Sequence, residues 1–146
     1  MSDDTRSMSD DTCSSSSDDR SSPSGLPRVL IVEDEMFIAL ELSMIVEDAG
    51  FEPVGPAGDP EAALAILASD TPHAAILDIN LGPGVTSAPV AEALAARGVP
   101  FIYLSGYNAS FVSDNMPAAP LMPKPVDPAA IVSTVRSALL ATASDA

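Results

Sequence analysis

The segment HAAILDIN, residues 73–80, places an acidic residue, Asp78, at the end of a continuous apolar run. Such a short apolar run is typical of a central strand in a parallel sheet, because that strand is buried on both faces. Further apolar runs, VLIV at residues 29–32 and FIYL at residues 101–104, lie on either side of it in the chain. Amphipathic segments separate these runs, so the pattern predicts an α/β fold.

The alternation of strands and helices begins at Pro27. We expect five strands, at residues 28–33, 51–54, 73–78, 101–104 and 120–122. Helices are expected at residues 35–49, 62–68, 88–97 and from 127 to about 142. Asp59 and Asp127 are predicted N-caps, since a proline at the first helical position follows each of them.

These elements predict a doubly wound, five-stranded parallel sheet of order 2-1-3-4-5, the flavodoxin-like form, with helices on both faces. A fourth helix, between Gly106 and Ala119, is weakly specified because its Asn, Ser and Asp residues favour turns and caps. Pro117 and Pro120 limit any helix there to about two turns. We expect this segment to be the mobile part of the domain.

The first 26 residues are rich in Ser and Asp and nearly free of apolar side chains. Because such a composition buries too little surface to offset ordering entropy, residues 1–26 are predicted to form a disordered acidic tail. The sequence MSDDT occurs at residues 1–5 and again at 8–12, so translation could start at Met1 or Met8. Residues 27–142 are predicted to form one domain, followed by a short C-terminal tail at residues 143–146.

The net charge of -15, with six Lys and Arg residues, argues against nucleic acid and anionic membranes as partners. The single cysteine, Cys13, can form neither an internal disulfide nor a zinc site. No apolar run approaches the roughly 18 residues of a membrane span, and the polar N-terminus lacks a signal-peptide core. We therefore expect a cytoplasmic protein.

Polar side chains follow four of the predicted strands: the pair Glu33 and Asp34, then Asp78, Ser105 and Lys124. In the order 2-1-3-4-5 the first and third strands are neighbours, so their three carboxylates converge at the edge where open α/β sheets bind ligands. Three carboxylates in one cleft repel one another, and one of them is driven towards protonation unless a cation is bound. Mg²⁺, which takes carboxylates, water and phosphoryl oxygens, suits such a cleft.

These residues, with Pro125 after Lys124, resemble the receiver domain (CheY-like) of bacterial two-component response regulators over residues 27–142. The resemblance implies that Asp78 is the phosphoacceptor and that Glu33, Asp34, Asp78 and the backbone carbonyl of Asn80 hold Mg²⁺. It also implies that Ser105 contacts the phosphoryl oxygens, that Lys124 pairs with them, and that the Lys124–Pro125 peptide bond is cis.

Two features indicate a subgroup. Receiver domains commonly carry an aromatic switch residue three positions before this lysine, where the present chain has Leu121. The segment PFIYLSGY, residues 100–107, resembles the fourth-strand signature of the FAT GUY group of alphaproteobacterial single-domain response regulators. With Leu121 in the aromatic position, we expect a switch made of Ser105, Gly106 and Tyr107, since glycine permits backbone states closed to other residues.

The resemblance implies a stand-alone response regulator, not a conventional enzyme, that accepts a phosphoryl group on Asp78 from a histidine kinase or histidine phosphotransfer protein. A carboxylate is a competent nucleophile at phosphorus, and Mg²⁺ with a lysine offsets the charge that develops on the transferring group. The signal would leave through the surface of the fourth helix, fifth strand and last helix, towards a protein the sequence does not identify, or the domain would act as a phosphate sink. Two alternatives remain: a receiver-like interaction module that is never phosphorylated, and a small flavodoxin-like enzyme or cofactor carrier.

Overall fold

The computed structural model describes residues 25–106 and 116–145, without the side chains of residues 142–145. This part of the chain holds five strands: β1 Arg28–Val32, β2 Glu52–Ala57, β3 Ala74–Asp78, β4 Phe101–Ser105 and β5 Leu121–Pro123. It also holds four helices: α1 Met36–Asp48, α2 Pro60–Ser69, α3 Ala88–Ala96 and α4 Pro128–Asp145. The predicted alternation of strand and helix is therefore confirmed.

The strands form one parallel sheet of order β2-β1-β3-β4-β5, which confirms the predicted topology. The central strands β1, β3 and β4 are buried along their whole length, as their apolar runs require. The order reverses between β1 and β3, so the ends of these two neighbours open towards a shared crevice.

Two hydrophobic clusters cover the two faces of the sheet. Alternate residues of β1 point to opposite faces: Leu30 joins one cluster and Ile31 joins the other. The first cluster packs the sheet against α2 and α3, and the second packs it against α1 and α4. This layered arrangement confirms the predicted helices on both faces.

Both predicted helix caps are present. Asp59 Oδ1 accepts a hydrogen bond of 2.8 Å from the Ala62 N–H at the start of α2. At the start of α4, Asp127 Oδ1 accepts hydrogen bonds of 3.2 and 3.4 Å from the N–H groups of Ala129 and Ala130. These contacts satisfy donors that have no partner within the helix.

Some predicted boundaries were wrong. Strand β2 continues past its predicted end at Val54 to Ala57, because the chain bulges at Gly55 (φ +92°) and pairing with β1 then resumes. The Glu33 N–H donates to the Ala57 carbonyl over 2.9 Å in this second part of the pairing. The last helix also runs beyond the predicted residue 142 to Asp145.

Several predictions fall on residues that the structure does not describe. The proposed tail lies almost wholly within residues 1–24, and most of the weak helix and the switch residue Tyr107 lie within residues 107–115. Of that predicted helix, the described residues 116–119 are irregular. Across the described ranges, no helix combines the length and hydropathy needed to cross a membrane.

Candidate functional site

Three carboxylates meet at the carboxyl edge of the sheet. Glu33 and Asp34 follow β1, and Asp78 is the last residue of β3, which pairs directly with β1. One oxygen from each carboxylate lies within 4.8 Å of the others. The neighbouring strand ends thus bring these three predicted site residues together.

The three carboxylates differ in their access to water. Glu33 and Asp78 are buried, with 2% and 4% of their surface exposed, whereas Asp34 is exposed. The Glu35 N–H donates to Glu33 Oε2 over 3.2 Å, and the Asn80 N–H donates to Asp78 Oδ1 over the same distance. Only part of the charge in the cleft is therefore in contact with solvent.

Lys124 reaches the two buried carboxylates from the end of β5. Its Nζ lies 2.8 Å from Asp78 Oδ2 and 3.1 Å from Glu33 Oε1. The Lys124–Pro125 peptide bond is cis, and the Lys124 N–H donates to the Ser105 carbonyl over 2.8 Å. The lysine is thus held between β4 and the carboxylates, where its cation compensates part of their charge.

The buried charges shift the pKa values of two of these groups. Burial, the negative charge of Asp78 and a hydrogen bond with Asp78 raise the pKa of Glu33 from 4.5 to about 7, although the Glu35 N–H and Lys124 oppose the shift. Burial lowers the pKa of Lys124, but hydrogen bonds and attraction to Asp78 and Glu33 outweigh burial and raise that pKa above 10.5. Lys124 is therefore a cation at neutral pH, whereas Glu33 is poised between its two states.

The remaining carboxylate charge fits a divalent cation. Glu33 Oε1 is buried and accepts no hydrogen bond within the described residues, although it lies near the ammonium. The adjoining cleft has a volume of about 550 Å³, and Asp34, Asp78, Asn80 and Lys124 are among the residues that line it. Three carboxylates against one ammonium leave an excess of negative charge, and hard oxygen ligands are the type that Mg²⁺ prefers.

The other predicted site residues lie at different distances from the cleft. Gly106 and Pro125 line it, and Ser105 is buried beside them at the end of β4. Leu121 lies on β5 but packs against the core cluster on the α2 and α3 face. Tyr107 lies outside the described residues.

Tyr103 is a residue near the site to which the sequence analysis gave no role. It is fully buried, and its hydroxyl donates to the Pro117 carbonyl over 2.6 Å. On β4 it pairs with Leu121, and its ring meets Phe101 edge-on at 5.4 Å. A tyrosine within an apolar strand was the available signal, because a buried phenolic hydroxyl nearly always has a hydrogen-bond partner.

Comparison with known proteins gives one consistent family. Residues 29–136 match the model of the response regulator receiver domain. The chain is 32% identical over 114 residues to the phyllosphere-induced regulator PhyR of Methylorubrum extorquens. That match covers 76% of this chain and 43% of PhyR, so the chain spans less than half the length of this relative.

Solved structures agree with this fold. The solution structure of SdrG from Sphingomonas melonis Fr1 is similar with a TM-score of 0.68 and 39% identity, covering 79% of this chain and 97% of SdrG. A CheY-like response regulator receiver domain protein from Methanospirillum hungatei JF-1 is similar with a TM-score of 0.73 and 27% identity. That second match covers 83% of this chain and 99% of the other.

Proposed function

The chain belongs to the response regulator receiver domain family, and on that premise we propose that it accepts a phosphoryl group on Asp78 from a phosphohistidine of a kinase or phosphotransfer protein. The observation that carries the proposal is the contact of 2.8 Å between Lys124 Nζ and Asp78 Oδ2, beside two further carboxylates. A buried carboxylate paired with a lysine at a strand end has the groups needed for acyl phosphate formation.

The transfer step uses the carboxylate of Asp78 as the nucleophile. An Asp78 oxygen forms a bond to phosphorus while the phosphorus–nitrogen bond of the donor histidine breaks, and the imidazole leaves with the electron pair. Lys124 contacts Asp78 already and offsets the charge on the phosphoryl oxygens as they arrive. Water later attacks the aspartyl phosphate, which returns the carboxylate and releases inorganic phosphate.

We propose that Glu33, Asp34, Asp78 and the backbone carbonyl of Asn80 hold Mg²⁺. When bound, the ion would supply positive charge for the phosphoryl oxygens. The donor set supports this assignment, as does the buried Glu33 Oε1, which accepts no hydrogen bond within the described residues. Asp34→Ala should strongly weaken Mg²⁺ binding in isothermal titration calorimetry. An unchanged affinity for Mg²⁺ would contradict the proposed metal site.

Ser105 is proposed to donate a hydrogen bond to the phosphoryl group. It is buried at the end of β4, and its backbone carbonyl accepts a hydrogen bond from the Lys124 N–H. Phosphorylation would therefore bias the position of the chain from Ser105 through Gly106 and Tyr107, by shifting a population between two arrangements. This change would carry the signal to a partner protein.

The proposal is tested by incubating the protein with acetyl phosphate and Mg²⁺ and measuring the intact mass. The wild type should gain the mass of one phosphoryl group, and Asp78→Asn should gain none. Asp127→Asn is the matched control because Asn also caps helices well, so this variant should be labelled like the wild type. Undiminished labelling of Asp78→Asn would overturn the assignment, and an unlabelled wild type would favour an interaction module that is not phosphorylated.

A further inference from the structure

The chain between β3 and α3, residues 79–87, forms a closed turn (the β3–α3 turn). Asn80 lies opposite Thr86 in an isolated antiparallel bridge. Two backbone hydrogen bonds close the bridge, from the Leu81 N–H to the Val85 carbonyl over 2.9 Å and from the Ser87 N–H to the Ile79 carbonyl over 3.0 Å. The two arms of the turn are therefore joined on either side of Asn80.

The bridge leaves the backbone groups of Asn80 directed away from the other arm. In an antiparallel pair of this type the hydrogen bonds flank the opposed residues, whose own N–H and carbonyl groups point outward. The Asn80 N–H accordingly donates to Asp78 Oδ1 over 3.2 Å. Asn80 also lines the carboxylate cleft. The turn thus leaves the Asn80 carbonyl on the side of the cleft, where the proposed Mg²⁺ site uses it.

Buried side chains fix the arm that carries Asn80. Ile79 is fully buried, Leu81 is 6% exposed, and both belong to the core cluster on the α2 and α3 face. The Ile79 N–H also donates to the Leu104 carbonyl of β4 over 3.0 Å. Because successive side chains of an extended chain point to opposite sides, Asn80 is directed away from the core. This arm is held by the core, whereas the position of the other arm depends on the tip of the turn.

Glycines determine the course of the chain at the tip. The Val85 N–H donates to the Gly82 carbonyl over 3.0 Å, which closes a four-residue turn with Pro83 and Gly84 at its centre. Gly84 has a φ of +71°, and proline followed by a residue of positive φ is typical of a type II turn. Gly82 has a φ of +129°. A Cβ added at Gly82 or Gly84 meets no atom within 4 Å, so both positions need glycine for its conformation and not for lack of space.

The two glycines differ in which residues can replace them. The φ of +71° at Gly84 lies in the left-handed region, which Asn also visits. The φ of +129° at Gly82 lies outside that region and is closed to Asn as well. Gly82 also lines the carboxylate cleft together with Asn80. A change of backbone conformation at Gly82 should therefore move the Asn80 carbonyl most directly.

The hard divalent cations make different demands on such a carbonyl. Mg²⁺ requires short distances and nearly ideal octahedral geometry, whereas Ca²⁺ accepts longer and more variable arrangements of oxygen ligands. The side chain of Asp34 is exposed and can adjust to either ion. The Asn80 carbonyl belongs to the backbone of a closed turn and cannot adjust without opening it. A carbonyl held in this way favours the ion that needs a fixed geometry.

We propose that Gly82 is a positioning residue that holds the Asn80 carbonyl towards the cleft and thereby sets a preference for Mg²⁺ over Ca²⁺. This inference rests on the proposed Mg²⁺ site and adds the residue that determines its selectivity. Gly82 acts through the backbone of Asn80 and not by contact with the ion. An L-residue at this position shifts φ, weakens the bridge between Asn80 and Thr86, and leaves the carbonyl of Asn80 less firmly held.

Gly82→Ala tests the proposal through the affinities of the full chain for Mg²⁺ and for Ca²⁺, each measured by isothermal titration calorimetry. The affinity for Mg²⁺ should fall about tenfold, as is typical when a residue that supports a metal ligand is changed. The affinity for Ca²⁺ should fall by about threefold at most, because Ca²⁺ tolerates a displaced oxygen. Gly84→Asn should keep the wild-type affinity for Mg²⁺, since Asn can adopt the φ of that position.

Gly50→Ala is the matched control for backbone strain. Gly50 also has a positive φ, +93°, and an added Cβ there also meets no atom within 4 Å. It lies between α1 and β2, at the opposite edge of the sheet from the cleft. Gly50→Ala should lose stability in urea titration much as Gly82→Ala does, but it should keep the wild-type affinities for both ions.

Amide hydrogen exchange of the metal-free protein adds a measurement that does not depend on binding. In the wild type, the amides of Leu81 and Ser87 should be protected because they donate to carbonyls across the turn. Gly82→Ala should exchange these two amides at least about tenfold faster, because opening of the turn costs less free energy. Gly50→Ala should leave their exchange rates unchanged.

The outcomes separate this proposal from the metal site on which it rests. If the wild type binds Mg²⁺ and Gly82→Ala keeps its preference for Mg²⁺ over Ca²⁺, the metal site is supported and the positioning role of Gly82 is wrong. An equal loss of preference in Gly50→Ala would also overturn that role, because general strain would then explain the effect. Absence of Mg²⁺ binding by the wild type would overturn the metal site and this proposal with it.

Discussion

The carboxylate cleft and a groove between α1 and α4, which Phe37, Met44 and Leu140 help to line, depart from the usual distribution of residues in opposite ways. In the cleft, the ionisable groups of Glu33 and Asp78 are buried. In the groove, apolar side chains such as Phe37 and Met44 are exposed. In an isolated domain, buried charges lower stability and contiguous exposed apolar surface lowers solubility. Both features are characteristic of functional sites.

The difference concerns what each site requires to be satisfied. In the cleft, Lys124 neutralises only part of the carboxylate charge, so a small cation would complement it. The core beneath the groove is fully packed, and only the apolar side chains that line the groove remain exposed to solvent. Substitutions in the cleft should therefore alter stability and chemistry together, whereas substitutions of the exposed side chains in the groove should leave stability nearly unchanged.

Lys124→Met is expected to have the largest effect. It leaves Glu33 and Asp78 facing each other without the ammonium that contacts both of them. We expect a loss of about 3 kcal/mol in the free energy of unfolding at pH 8, together with loss of phosphoryl labelling. Urea titration and intact mass measure the two effects. If this variant were as stable as the wild type, repulsion between the carboxylates of Glu33 and Asp78 would not be what Lys124 offsets.

Glu33→Gln separates the effect of charge from that of shape. The pKa of Glu33 is raised from 4.5 to about 7 in the folded protein, so its contribution to stability is fully present below pH 4.5 and is lost as the pH rises through 7. The neutral amide avoids that loss, and without metal the variant should exceed the wild type by about 2 kcal/mol at pH 8. The difference should vanish near pH 4.5 in urea titrations across this range.

Glu41→Gln is the control for that series, since Glu41 is an exposed carboxylate on the groove side of α1. Its stability should stay within about 0.5 kcal/mol of the wild type at every pH. An advantage of Glu33→Gln that did not depend on pH would contradict the electrostatic explanation.

Tyr103→Phe removes one buried hydroxyl and leaves the Pro117 carbonyl without that donor. We expect destabilisation by about 1.5 kcal/mol in urea titration. Thr134→Val is the control: its hydroxyl donates over 2.8 Å to the carbonyl of Ala130, four residues earlier in α4, where a helical N–H also donates. Thr134→Val should lower the free energy of unfolding clearly less than Tyr103→Phe does. Equal losses would mean that the hydrogen bond to Pro117 contributes no more to stability than that of Thr134.

The smallest expected effect on stability belongs to Phe37→Ala. Its side chain is 87% exposed, so the free energy of unfolding should change by less than about 0.5 kcal/mol. Leu42→Ala, on the buried face of the same helix, should cost about 3 kcal/mol. Thermal unfolding of both variants tests the comparison, and a large loss in Phe37→Ala would place that side chain in the core.

The topology and the convergence of polar groups were predictable because apolar strand runs and residues at strand ends are local features of the sequence. The apolar run that ends at Asp78 predicted β3, and its pairing with β1 placed Asp78 beside Glu33 and Asp34. The predicted strand order was sufficient to bring these side chains together, because neighbouring parallel strands end at the same edge of the sheet.

Other features depended on contacts that the sequence does not display. Gly55 and Pro56 are typical of a turn, and only pairing with β1 carries β2 past them as a bulge. Glu33 and Asp34 are adjacent acids, and the end of β1 decides that the first is buried and the second exposed. Likewise, Phe37 has the same helical periodicity as the core residues of α1, so periodicity alone cannot place it in the groove.

The central claim is that Asp78 is the phosphoacceptor of the carboxylate cleft. Its most direct test is site mapping: phosphorylation by acetyl phosphate with Mg²⁺, reduction of the acyl phosphate with borohydride, and tandem mass spectrometry of the peptides. Asp78 should be recovered as homoserine in a Mg²⁺-dependent manner, while Glu33 and Asp34 remain unmodified. Modification at either of those two residues, or none at Asp78 in the presence of Mg²⁺, would contradict the claim.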